Sequence, residues 1–352
     1  MLIMTLIVHN EVDLLDANLR FHYAHGVDHV LAIDDRSTDG STEVLRAHAR
    51  TGRLTVIDRP TGDMRKFASQ AKWSTSLARL AKTRYDAEWV LNGDADEFWF
   101  PLDGSLADAL DRVGPDYGRV LIPRTDFVLH EELHSAPVAE QLTVRESRSP
   151  IGLRVAHRGM ADIVVATGHH RVARDARLDQ LGWTENGQRA KPIEIAPLFP
   201  IRVFHYPVRS WGSMIGAARA GDDYVLNRDP ALRIMRQTMR VEDIRTMVLA
   251  SGPRPPEARQ RLIEDRVRDG TFVRDTRVRD RMASPTIGSP VDVAEEREVA
   301  GLVVAALARD DRQLRTRARR YQEQVKDLRS SRWWRFKETV TGPLRVRGPG
   351  RA

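Results

Sequence analysis

Glu88-Trp89-Val90-Leu91-Asn92-Gly93-Asp94-Ala95-Asp96-Glu97-Phe98 is the stretch that decides the fold. It opens as a short apolar run, which reads as a buried strand, and closes on two aspartates two positions apart. On extended backbone residues i and i+2 point the same way, so Asp94 and Asp96 are expected to project together from the strand's carboxyl end. In an open α/β sheet that end is where ligands bind. Two carboxylates held close repel, so they share either a proton or a cation. An oxygen-only pair suits a hard ion such as Mg²⁺ or Mn²⁺. Such an ion commonly holds phosphate oxygens as well, which makes a nucleotide diphosphate its natural guest. The bland alternative is a solvated loop that happens to begin with two acids. The strand before it and Glu97-Phe98-Trp99-Phe100 after it argue against that composition. A phosphatase with an Asp nucleophile would follow the second aspartate with Gly-Thr or a similar pair, and here Glu97-Phe98 follows.

Upstream, the same pattern repeats. Leu2 to Val8 reads as a buried strand that ends at Asn10-Glu11. Val12, Leu15, Leu19 and Tyr23 recur at helical spacing, and Gly26 ends that helix. Val27 to Ile33 is a second strand, closing on Asp34-Asp35-Arg36-Ser37-Thr38-Asp39-Gly40-Ser41, where Ser37 and Asp39 suit a helix N-cap. Leu54 to Ile57 is a third strand, and Phe67 to about Arg84 a helix with Trp73, Leu77 and Leu80 on one face. The order β-α-β-α-β-α-β predicts an α/β fold: a mostly parallel sheet with helices on both faces. Three acidic strand ends then converge on one rim, where burial is costly unless a ligand or cation compensates.

The composition bounds the rest. A chain of 352 residues with 41% apolar content can bury one large domain with an appendage. There is no cysteine, which excludes disulfides, thiolate metal sites and a Cys nucleophile. The first residues carry no basic leader, so they read as a core strand and not as a signal peptide; no stretch reaches the length of a membrane span. The formal charge of +7 points to an anionic partner, with the excess in the last third. There, Ser251-Gly252-Pro253-Arg254-Pro255-Pro256 is a breaker cluster. From Asp292 to Leu328 apolar residues recur at 3–4 spacing, as in a short coiled coil that could pair two copies or a helix lying on the domain. Arg332-Trp333-Trp334-Arg335-Phe336-Lys337 suits an anionic membrane surface, or a solvated basic tail. No nucleic-acid motif is present. The expected organisation is a main domain over 1–230, a helical or linker region over 231–290, an amphipathic helix over 291–330 and a basic tail over 331–352.

Ile33 to Ser41, with Asn10-Glu11 upstream and Asn92-Gly93-Asp94-Ala95-Asp96-Glu97-Phe98-Trp99 downstream, resembles glycosyltransferase family 2, in the branch whose strand end reads Asp-Ala-Asp-Glu-Phe. The likeness runs from about Met1 to about Arg228 and includes Pro200 to Ser210. It implies a GT-A (Rossmann-like) fold, a nucleotide-sugar donor, a divalent metal (Mn²⁺ or Mg²⁺) and inversion at the anomeric carbon. Arg36 stands where relatives often have Gly. By this resemblance Asn10, Glu11, Asp34, Asp35, Asp94 and Arg209 face the donor nucleotide, Asp94 lies near ribose and metal, and Asp96 and His205 ligate the metal. Asp162, His170 and Glu185 are the candidates for the general base. The branch tends to have Gly-Asn-His where this chain has Gly168-His169-His170. The implied acceptor is a glycan or glycolipid hydroxyl, and the implied location the cytoplasmic face of the cell membrane. A nucleotidyltransferase on a similar sheet would need a Gly-rich triphosphate loop after the first strand, and His9-Asn10-Glu11 offers none. A non-catalytic binding protein using its basic tail is the other alternative.

Overall fold

The apolar runs form the strands expected of them, in a computed structural model that describes residues 1–59, 66–115, 117–130, 138–147, 153–169, 172–174 and 201–283. The chain divides into two units, Met1–Ala300 and Gly301–Ala352. The amphipathic helix and the basic tail, with the membrane and dimer contacts assigned to them, lie outside the described residues.

The first half of the chain alternates strand and helix: β1 Leu2–Val8, α1 Val12–Ala24, β2 His29–Asp34, α2 Ser41–Ala49, β3 Leu54–Val56, α3 Lys66–Tyr85, β4 Trp89–Gly93. It continues through β5 Glu97–Pro101, α4 Leu106–Asp111, β6 Arg119–Asp126, α5 Val138–Gln141, β7 Val144–Glu146, β8 Leu153–Arg158, β9 Ile163–Val165, β10 Val172–Arg174 and β11 Ile201–His205. Then follow α6 Trp211–Ala220, α7 Asp223–Leu226, α8 Pro230–Met235, α9 Val241–Ala250, α10 Glu257–Arg268, β12 Phe272–Arg274 and α11 Arg277–Ala283.

Eight strands form one sheet in the order β3-β2-β1-β4-β8-β6-β11-β5. β1 pairs in parallel with β2 and β4, β2 with β3, and β6 with β11. β8 runs against β4 and β6, and β5 against β11. All but β8 and β5 therefore share one direction, which is the mostly parallel α/β sheet read from the sequence. From β1 to β3 the chain steps one way along the sheet, and from β3 to β4 it crosses back. Right-handed crossovers then put α1 and α2 on one face and α3 on the other. The side chains agree. Leu2, Met4, Leu6 and Val8 pack in one core with Leu15, Leu19 and Leu45. The alternate residue Ile3 is buried on the opposite face, the side covered by α3 with Trp73, Leu77 and Ala81.

Residues 231–283 are largely helical and belong to the same unit. α9 lies against α6, α10 against α8 and α11 against α5, while β12 pairs antiparallel with β7. The breaker cluster at Ser251–Pro256 turns the chain from α9 into α10 inside this unit. Among the described residues no helix is long and apolar enough to cross a membrane.

Candidate functional site

Because β1, β2, β4, β6 and β11 share a direction, their carboxyl ends lie on one rim. The chain order reverses between β1 and β4, and such a switch point opens a crevice beyond the strand ends.

One detail of the sequence reading is corrected here. β4 stops at Gly93, and residues 94–96 form a tight turn into β5. Asp96 therefore lies within the turn and not on a strand, so alternation does not set the directions of the pair. They serve different partners. Asp94, partly exposed, lies with Oδ2 3.3 Å from Arg154 Nη2 and Oδ1 3.7 Å from His169 Nδ1. Asp96 is 5% exposed. Its Oδ2 accepts from Arg228 Nη2 at 2.8 Å and sits 3.3 Å from His205 Nε2. Burial works against the Asp96 carboxylate, but His205, Arg228 and Arg209 outweigh it and hold its pKa far below the usual range.

His205 ends β11 opposite Asp126 of β6 and donates from Nδ1 to Asp126 Oδ1 at 2.8 Å. That bond turns Nε2 toward Asp96. Burial disfavours the imidazolium, yet Asp96 and Asp126 raise the His205 pKa above its ordinary value.

Glu11 follows β1 and pairs with Arg209, whose Nε also lies 3.2 Å from Asp13. Burial, then the charge of Asp96, pushes the Glu11 carboxyl up to about 7 against the pull of Arg209. Asn10 braces the neighbouring loop. With φ 56 it donates from its backbone to Ser37 Oγ and accepts from the Thr38 N–H at 2.8 Å.

Asp34 and Asp35 have separate tasks. Asp34 accepts from the Ser37 N–H at 2.9 Å and from the Thr42 hydroxyl. Burial raises its pKa, but these hydrogen bonds prevail and lower it. Asp35 accepts from Arg59 Nε at 2.7 Å, and that guanidinium lies over the Trp73 ring. Arg36 has φ 60, the left-handed backbone that glycine adopts without strain. The N-cap position of α2 falls to Gly40, while Asp39 accepts from Ser41 and from the Val12 N–H.

Asp162 is not brought to this rim. β8 runs antiparallel to β4 with Arg158 beside Trp89, so the chain after β8 emerges at the opposite end of the sheet. Asp162 is exposed in the turn that follows. From there the chain returns along α3: Arg79 Nε donates to Ile163 O, Thr75 Oγ1 accepts from the Val165 N–H, and Ser74 Oγ bonds His169 Nε2. This path delivers His169, not Asp162, to Asp94. His170 and Glu185 lie outside the described residues.

Sequence reasoning missed several contributors. Arg154 donates from Nε to both oxygens of the fully buried Glu97, at 2.6 and 2.8 Å, while reaching Asp94. Its signal was an arginine flanked by the apolar Leu153, Val155 and Ala156 of β8. Asp126 ends β6 as Asp94 follows β4, and that likeness was available. Arg228 carries no local sign.

Among the described residues, no group of three or more His, Asp or Glu side chains converges as a metal cluster. Of the expected ligands, Asp96 and His205 meet, while Asp94 turns to Arg154 and His169. An anionic oxygen beside an imidazole whose other nitrogen is held by a buried carboxylate is a donor set that fits a divalent ion, with the remaining positions left to substrate and water.

No family model and no curated protein matches this chain. Among solved structures it is similar to S. aureus TarS 1–349 in complex with UDP, at 14% identity over 71% of this chain and 69% of that one, TM-score 0.34. It is also similar to glucosyl-3-phosphoglycerate synthase from Mycobacterium tuberculosis in complex with Mn²⁺, UDP and glucosyl-3-phosphoglycerate, at 16% identity over 45% and 56%, TM-score 0.27. A 4-diphosphocytidyl-2C-methyl-D-erythritol synthase is similar at 15% identity over 51% and 76%, TM-score 0.26.

Proposed function

We propose that this chain is a glycosyltransferase that moves a sugar from a nucleotide-sugar donor to a hydroxyl of a glycan or glycolipid, with inversion. One observation carries the reading. At the carboxyl rim, next to the switch point, Asp96 and His205 meet in a cluster of charges that also includes Glu11, Arg209 and Arg228. Carboxylate and imidazole supply ligands for a cation, and two guanidiniums supply donors for a diphosphate. Asp35, beside Arg59 and Trp73 at the end of β2, is the better placed of the two aspartates for the donor's base or ribose, since Asp34 is spent on its own loop.

In this reading Asp96 and His205 hold the divalent ion, and that ion supplies charge neutralisation to a departing nucleoside diphosphate. Arg209 and Arg228 bind the diphosphate oxygens in planar, charge-assisted hydrogen bonds. Asp126 keeps His205 aimed at the ion. Arg154 fixes Glu97 and, with it, the turn that presents Asp94.

A thermal-shift panel of nucleotide sugars with and without Mn²⁺ tests this, because a ligand that binds only the folded chain raises its apparent stability. The expected result is one donor that shifts the midpoint in Mn²⁺ and fails to do so in Asp96→Ala. An equal shift in that variant, or no shift with any nucleotide sugar, would overturn the proposal.

A further inference from the structure

We propose that Arg228 is a built-in occupant of the cation position, so that a divalent ion and the Arg228 guanidinium exclude one another from Asp96. The inference rests on the metal reading above and adds to it a residue that couples the metal to the donor.

The geometry is specific. Arg228 Nη2 donates to Asp96 Oδ2 at 2.8 Å and stands 3.4 Å from His205 Nε2. Those are the two atoms that a metal would need, and they are themselves 3.3 Å apart. One positive nitrogen thus sits against both ligands at once. A divalent ion coordinated by the same oxygen and nitrogen would lie in contact with that guanidinium, and two cations at that separation repel strongly where water is scarce.

The place of Arg228 in the chain suits exchange. It lies between α7 and α8, with its backbone N–H held by Val225 O at 3.0 Å. The next residue, Asp229, is wholly buried, accepts from the Leu232 N–H as the cap of α8 and pairs with buried Arg259. The backbone is therefore anchored on both sides. The side chain is 37% exposed, so the guanidinium can swing outward without any change in the main chain. Once off Asp96 it can bond the diphosphate of a donor bound at the same rim, to which a planar fork is better matched than to the more distant Asp94 and Glu11 carboxylates.

The consequence is thermodynamic coupling. Without nucleotide, the ion must expel Arg228 into water. With nucleotide, the displaced guanidinium gains a new partner, so ion and donor each strengthen the other's binding by the same factor.

The test measures free Mn²⁺ by electron paramagnetic resonance on the full chain, with and without UDP, in wild type, Arg228→Ala, Arg228→Gln, Arg228→Lys and Asp96→Ala. Wild type is expected to bind Mn²⁺ weakly alone and about ten-fold or more tightly with UDP. Arg228→Ala and Arg228→Gln are expected to bind Mn²⁺ alone about ten-fold more tightly than wild type and to show a smaller UDP effect, the remainder coming from diphosphate oxygens on the ion itself. Arg228→Lys, which keeps a cation, stays close to wild type. Mn²⁺ affinity unchanged or weaker in both neutral variants, while Asp96→Ala abolishes binding, overturns the exchange and leaves the metal reading standing. Absence of Mn²⁺ binding in every protein, with or without UDP, overturns both. Melting curves of each variant confirm that the fold is intact, and the glutamine variant serves if the alanine variant does not fold.

Discussion

Asp126 and His205 are direct partners across β6 and β11, and their side chains join at 2.8 Å on the rim where those strands end. Register sets the two side chains next to each other, and the hydrogen bond between them orients the imidazole. Asp126 is also near Arg124 Nε at 3.3 Å and Arg233 Nη1 at 3.4 Å. Burial opposes its charge, but His205 and the two arginines hold its pKa well below the carboxylate range. Asp126→Asn keeps the shape and removes the charge that fixes the Nδ1–H tautomer. Mn²⁺ binding is expected to fall by about 10- to 100-fold, as when such outer partners are changed at other metal sites. Titration with Mn²⁺ checks this, and an affinity equal to wild type would show that His205 needs no such support.

A second expectation concerns Arg259 and Asp229. Both side chains are fully buried, and they pair directly. Arg259→Ala strands a carboxylate in the interior, and loss of one partner of a buried pair costs about 3–5 kcal/mol. Arg259→Met with Asp229→Asn removes both charges and keeps a cap acceptor for Leu232, so the double variant should be the more stable of the two. Urea unfolding of both proteins decides it. The reverse order would mean that the pair itself, not the stranded charge, sets the cost.

Gly159 gives a third. A Cβ placed there would stand 2.0 Å from the Ala87 carbonyl oxygen, which is backbone and cannot move aside. The Gly159 N–H meanwhile donates to Glu88 O at 2.8 Å, tying the end of β8 to the start of β4. Gly159→Ala is expected to destabilise by about 1–3 kcal/mol or more, the cost of overpacking. Gly93→Ala meets first the terminal methyl of Met4, a flexible group, and should cost less. Equal denaturation midpoints for the two variants would contradict this reading.

The rim was legible in the sequence because short-range patterns announce it: apolar runs that stop at acids. That placed Glu11, Asp35, Asp94, Asp96 and His205 on one side of the sheet. What pairs with those acids was not legible, since Arg154 and Arg228 reach Asp94 and Asp96 across 60 and 132 residues of chain. The shared direction assigned to Asp94 and Asp96 fails because it extends β4 past Asn92-Gly93, a dipeptide that marks a turn and where the strand in fact ends. Asp162 was picked for its residue type, and only the pairing of β8 against β4 shows that it leaves at the far edge. Arg36, by contrast, stood out as an unusual residue in its loop, and its left-handed φ is the backbone counterpart of that oddity.

The last expectation is a pH dependence with two opposed signs. His22 is fully buried in α1; its Nδ1–H donates to Asn18 O at 2.7 Å and its Nε2 accepts from the Trp99 N–H at 3.1 Å. Burial lowers its pKa to about 3, and burial likewise lowers that of His157 to about 4. Unfolding lets both take up protons below about 6.5, so their contribution to stability falls as pH falls from about 6.5 toward those values. Glu11 works the other way. With a folded pKa of about 7 against 4.5 for the free group, it keeps its proton in the fold where the unfolded chain has lost it. Its contribution is fully present below about 4.5 and is lost as pH rises through about 7, by up to about 1.4 kcal/mol per pH unit. Urea unfolding of wild type and Glu11→Gln between pH 4.5 and 8 should therefore show the wild type gaining on the variant as pH drops. Nitrogen chemical shifts should meanwhile keep His22 neutral and in its Nδ1–H form at pH 5. A constant difference between the two proteins would place Glu11 ionised throughout, held by Arg209 more strongly than burial and Asp96 oppose it.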